Sequence, residues 1–285
     1  MLCVSLIATA TEEFYKETRK TIKVSNTVEL DLDISYADIN IQTWEQAQME
    51  IVVKLNVNAK TQQRANEIFE SITVNISESE SLVGLDVSMG NYSCSGWSGE
   101  SYTVTVDVKM PTAGMLDGKV AFGDAHLGEM HGACELRVEY GSLKASWLKA
   151  SNNDVEIAFG DANIQTTGGG DFSNEYGELN IKKLTGSAEI KSAFGDLEID
   201  LVTTEVKSLD IHIEYGDAEI DLASDASFTF DVRSSYSEVD LPDSAKNTTN
   251  EADYTTKHVT GTIGGGGNNK IKIECDFGDV DIDVL

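Results

Sequence analysis

The residues that could carry chemistry in this 285-residue chain are four histidines, a few cysteines and a recurring carboxylate that follows glycine. His126 and His131, with Glu129 between them, have the residue types of a metal constellation, but no helical pattern aligns them, so no metal or catalytic role is assigned. His212 and His258 stand apart. Past the first ten residues the cysteines are Cys94, Cys134 and Cys275, an odd number without CxxC spacing. One disulfide among them is allowed, and the pair is left open. Gly168–Gly170 and Gly264–Gly267 lack the strand-to-helix setting and the Lys-Ser/Thr of a phosphate loop. Gly96-Trp97-Ser98-Gly99 misses the nucleophile elbow by one position.

The carboxylates are more regular. Asp124, Asp161, Asp196, Asp217 and Asp279, with Glu178 and Glu238, recur two residues after an aromatic. Stacked about 5 Å apart they could bridge calcium, which prefers hard oxygen ligands. The calcium-binding nonapeptide is absent, however, and Asp after Gly also bonds its own turn backbone, so a structural role is expected. No two acids are singled out as a glycosidase pair. Catalytic, metal and cofactor sites are therefore all expected to be lacking.

The elements that position these acids follow from the aromatics. Phe122, Tyr140, Phe159, Tyr176, Phe194, Tyr215 and Tyr236 span 114 residues in six steps, and Phe277 is an outlying copy. A period near 19 residues marks a repeat architecture. Apolar residues sit at i−4, i−2, i+3 and i+5 around each aromatic, as in Val155, Ile157, Ala162 and Ile164 around Phe159. Steps of two are the strand period. The three-residue step across Gly-Asp breaks parity, so a corner is expected there, with glycine supplying the backbone freedom. The aromatic shares the parity of the apolar row before it, so the rings are expected to stack inside. Strand, corner, strand, stacked as parallel layers, makes an all-β parallel β-helix, a β-solenoid.

The aromatics alternate Phe and Tyr. Ala121, Ala158 and Ala193 precede Phe; Glu139, Glu175 and Glu214 precede Tyr. A coil of about 37 residues would stack those glutamates on one another, and opposed like charges are destabilising. A coil of about 19 residues separates them with alanines and is the reading adopted.

Composition narrows the partners. Forty-nine Asp and Glu against 21 Lys and Arg give a net charge of −28. Such a surface repels nucleic acid and anionic lipid and suits cations, basic proteins or neutral glycans. Residues 1–10 read as a truncated secretory signal ending in Ala8-Thr9-Ala10, and residues 11–20 as a mobile lead-in. Residues 21–111 form an N-terminal β region. It holds one covering helix over 61–72, capped by Thr61, and an early repeat at Tyr36-Ala37-Asp38. Residues 112–285 hold the solenoid repeats. Tyr92 and Trp97 lie in a polar loop and are candidate surface-binding residues. The 41 residues from Tyr236 to Phe277 predict a distorted or loop-replaced rung. No stretch reads as a transmembrane segment.

Ile39-Asn40-Ile41 with Trp44, then Val106-Asp107-Val108-Lys109-Met110-Pro111, then serial Gly-Asp-apolar rungs, resemble the "putative adhesin" family of bacterial envelope proteins. Ala37 and Ser237 depart from its glycine pattern. The resemblance implies a right-handed parallel β-helix, shaped like pectate lyases but without their catalytic residues. It also implies export to the periplasm, the outer-membrane surface or the medium. The expected function is non-enzymatic: adhesion to an envelope protein or glycan through an elongated acidic surface. The alternatives are an envelope-stress signalling accessory and a carbohydrate-active enzyme on the same scaffold.

Overall fold

The computed structural model describes residues 11–90 and 99–285. Each repeat is two short strands around a corner, as in Asn153–Ala158 and Ala162–Ile164 on either side of Phe159-Gly160-Asp161. First strands stack in one sheet and second strands in another, and the described residues form sheets of 13 and 12 strands. Neighbouring rungs pair in parallel and in register. Leu136 lies beside Val155 and then Phe172, and Leu143 beside Ala162 and then Leu179. Register of this kind turns each inward position into a continuous apolar column between the sheets, so burial is shared by neighbours that could not close a core singly. Glu139 pairs with Ala121 on one side and Ala158 on the other, which is the 19-residue coil.

At two corners where the i−2 position is polar, the buried side chain donates to a carbonyl of its own corner. Asn174 donates to the Gly177 carbonyl and Ser192 to the Gly195 carbonyl. Cys275 follows the same rule, its Sγ 3.2 Å from the Gly278 carbonyl oxygen.

Chain order and rung order part company at the C-terminal end. After the Tyr215 rung the chain builds the Tyr236 rung, Phe228–Ser235 and Val239–Asp240. It then makes an antiparallel pair, Lys246–Ala252 with Thr256–Ile263, and returns. Lys270–Asp276 and Val280–Val284 finally enter between the two earlier rungs. The 41-residue interval is thus an excursion that carries the chain past a rung position filled last, not a degraded rung.

At the other end, parallel pairing runs through the boundary placed at residue 111. Glu29–Ser35 pairs with Met115–Ala121, so the Tyr36 corner is a full rung of the stack. Residues 11–20, read as a lead-in, belong to strand Glu12–Lys23, paired along its length with Gln48–Ala59. Ladder hydrogen bonds hold it at the sheet edge, where charged side chains face solvent, so its charge hid a strand. The helix Gln62–Ser71, whose Thr61 side chain accepts from the Arg64 N–H at 3.2 Å, buries Ala65, Ile68 and Phe69. It packs against the strands Glu12–Lys23, Gln48–Ala59 and Ile72–Glu78. No helix among the described residues is long and apolar enough to cross a membrane.

Candidate functional site

The corners form the most regular surface feature. All nine aromatics, Tyr36 included, adopt left-handed backbone with φ between 55° and 62°. That conformation crowds Cβ against the following carbonyl and costs roughly 1–2 kcal/mol for an ordinary residue. It also throws the ring out of the row it would otherwise share. The rings are 44–63% exposed, so the expected internal stack is corrected to an external one. The stacking itself is present. Successive centroids lie 4.8–5.0 Å apart with planes within 7°. In space the order is Tyr36, Phe122, Tyr140, Phe159, Tyr176, Phe194, Tyr215, Phe277, Tyr236. Phe277, out of place in the chain, completes an unbroken Tyr–Phe alternation. Face contacts of this kind contribute about 0.5–1.5 kcal/mol per pair beyond burial, which offsets part of the backbone cost.

Glycine follows the aromatic for a different reason from the one expected. The corner glycines are not in the left-handed region; the rings before them are. A Cβ on Gly160 would lie 1.9 Å from the Gly141 carbonyl oxygen, and one on Gly195 1.7 Å from that of Gly177. Close approach of successive corners excludes a side chain. Ala37 departs from the glycine pattern at the Tyr36 corner, where the ladder of described rings ends.

The column of corner acids is built into the same stack. Asp124 Oδ1 accepts from the Ser142 N–H at 2.8 Å, Asp161 Oδ1 from Glu178 at 3.0 Å and Asp196 Oδ1 from Asp217 at 3.0 Å. Asp38, Asp217 and Asp279 repeat the bond to Asp124, Asp279 and Glu238. These six carboxylates therefore each tie their own rung to the next, where a bond within the turn was expected. Among the described residues no group of three or more His, Cys, Asp or Glu is arranged to hold a metal ion.

The other candidates scatter. His131 meets Glu129 at 2.6 Å, His212 lies between Glu214 and Glu274, and His258 meets Asp231 at 2.9 Å. Among the described residues Cys134 and Cys275 are free and buried and are not joined to each other. Burial pushes the Cys134 thiol up to about 12. Tyr92, Trp97, Cys94 and the signal-like residues 1–10 lie outside the described residues.

Two features went unremarked in the sequence. Glu198, Glu219, Asp281 and Asp240 form one row across the outer face of the second sheet, with Asp221 beside Asp283 in the next. Partial burial, then mutual repulsion, holds the Asp221 and Asp281 carboxyls above the usual range; for Glu198 burial is again the leading cause. The signal was the acid-apolar-acid run after each late corner, as in Glu219-Ile220-Asp221. Near the other end, Lys109 lies over Trp44 at 5.7 Å and Lys149 over Trp147 at 5.0 Å.

Several solved structures are similar in fold. A putative adhesin from Bacteroides fragilis NCTC 9343 shares 12% identity over 95% of this chain and 97% of its own, with a TM-score of 0.43. A putative adhesin from Parabacteroides merdae ATCC 43184 shares 10% over 95% and 96%, also at 0.43. A putative lipid binding protein from Parabacteroides distasonis ATCC 8503 shares 12% over 94% and 96%, again at 0.43. No curated protein is significantly similar to the chain. The sequence profile of one family spans residues 27–283, nearly the whole stack, and on that match the chain belongs to the Toastrack DUF4097 family.

Proposed function

We propose that this protein is a non-enzymatic, exported β-solenoid that adheres to cell-surface or envelope partners through its long, acidic, regularly patterned exterior. The observation that carries this reading is the register. Because every rung repeats its neighbour's positions, each outward side chain becomes part of a row running along the stack, as the exposed rings do. Rows of that kind suit recognition of an extended partner. The corner carboxylates support a non-enzymatic role, since their oxygens accept backbone N–H groups of the next rung. Net charge directs the surface away from nucleic acid and anionic lipid and toward basic or neutral partners.

The test is binding of the purified protein to intact bacterial cells and isolated envelopes. Saturable retention that weakens as salt rises is the expected result. Absence of retention at low salt would overturn the reading. So would turnover of a polysaccharide that a single acid-to-amide change abolishes.

A further inference from the structure

The ring ladder has a consequence beyond holding the corners together. Eight ring-to-ring steps of 4.8–5.0 Å make a straight apolar ridge about 39 Å long, with every ring close to half exposed. Contiguous exposed apolar surface of that extent marks an interaction site in a soluble protein. Beside it, two residues along the chain, runs the column of eight corner carboxylates from Asp38 to Glu238. Parts of the first sheet's outer face pair their charges, as Lys119 and Arg137 do with Glu139 and as Lys191 does with Glu189. Among the described residues none of the eight corner carboxylates has a lysine, arginine or histidine partner. An unpartnered apolar ridge thus lies against an unneutralised acidic rail.

The geometry selects the occupant. Ring faces are covered by their neighbours, so neither a sugar face nor a cation can stack on them along the ladder. What remains open is the ring edges, which take apolar groups, and the carboxylates, which take cations. We infer that the ladder is the docking surface for an extended, basic polypeptide segment, with apolar side chains against the ring edges and Lys or Arg on the corner carboxylates. At about 3.4 Å per residue, roughly 11 extended residues would span the ridge. This inference rests on the adhesion reading and names the surface and partner class for it.

The experiment titrates the full chain with a fluorescein-labelled peptide of about 11 residues that alternates phenylalanine and lysine. Comparison peptides replace phenylalanine by glycine or lysine by glutamate. Three variants are compared, with folding checked by circular dichroism and melting temperature. The ridge variant is Phe159→Asn, Tyr176→Asn and Phe194→Asn, because asparagine tolerates left-handed backbone. The corner variant is Asp161→Asn, Asp196→Asn and Asp217→Asn, which removes charge and keeps the Oδ1 acceptor. The control is Glu135→Gln, Asp154→Asn and Asp171→Asn, the same charge change on the outer face of the first sheet. Ridge and corner variants are each expected to bind the phenylalanine–lysine peptide at least about tenfold more weakly, with the control within about twofold. Equal affinity for the glycine–lysine peptide would overturn the proposal, as would a control as weak as the corner variant or an unaffected ridge variant. If the ridge variant fails to fold, the corner variant and the control still decide. If cell binding persisted in variants that had lost the peptide, adhesion would stand and the ridge would not be its surface.

Discussion

The ring of Phe277 lies flat on that of Tyr215, 4.8 Å away and 3° from parallel, although the chain builds an entire further rung between them. Its other face meets Tyr236 at 5.0 Å. The last segment of the chain therefore acts as a wedge that joins the Tyr236 rung to the rest of the stack. Phe277→Ala should cost about 1–3 kcal/mol, the sum of two stacked contacts. Tyr254→Ala, at a fully exposed ring, should cost nothing measurable. Urea unfolding of both variants checks this, and equal midpoints would show that the wedge is not held by its ring.

Corner glycines should be intolerant in proportion to their closeness to the corner before them. Gly160→Ala places a methyl 1.9 Å from a backbone oxygen that cannot rotate away, so the rungs must separate. A loss above about 3 kcal/mol is expected, at the severe end for single substitutions. Gly265→Ala meets only the Ser227 Oγ, at 3.5 Å, and should be tolerated. Thermal melts of the two proteins give the comparison.

Cysteine reactivity offers a test of burial. With its thiol pushed up to about 12, Cys134 holds almost no thiolate at neutral pH, and thiolate is the reactive species. Burial raises Cys275 as well. Peptide-level mass spectrometry after alkylation should find both unmodified in native protein and both labelled in denaturant. Rapid native labelling of Cys134 would place it outside the core.

Stability should rise on mild acidification. For Glu198, Asp221 and Asp281, burial and neighbouring acids raise the folded pKa, so the folded state binds protons more tightly than the unfolded chain. Stability is then gained as pH falls through the folded values toward the ordinary carboxylate range near about 4. Glu139, Glu189 and Glu274 act oppositely: basic partners lower them, and their contribution is lost as pH falls below that range. Those pairs are largely exposed and contribute little. The melting temperature at low salt should therefore rise as pH falls from neutral toward the ordinary carboxylate range, and fall again below about pH 4. Combined Glu198→Gln, Asp221→Asn and Asp281→Asn should flatten that rise, and a profile unchanged by the substitutions would refute the assignment.

By itself the sequence determined the repeat, the coil length and the inward rows. All three depend on local spacing: period-two apolar positions must face one way, and separating Glu139 from Glu175 requires the short coil. Where the rings point was decided only in three dimensions. Phe159 has the parity of Val155 and Ile157, and local pattern places it inside with them. A left-handed turn at the ring itself, stabilised by rings from rungs about 19 residues away, puts it outside. The glycine requirement is likewise an inter-rung distance rather than a dihedral preference, and chain pattern is silent on such distances. The position of Phe277 followed from pairing alone, because nothing local tells a strand to enter a gap left two segments earlier. The Tyr–Phe alternation is broken along the chain and whole in space, because ring stacking acts between spatial neighbours whatever their order in the polypeptide.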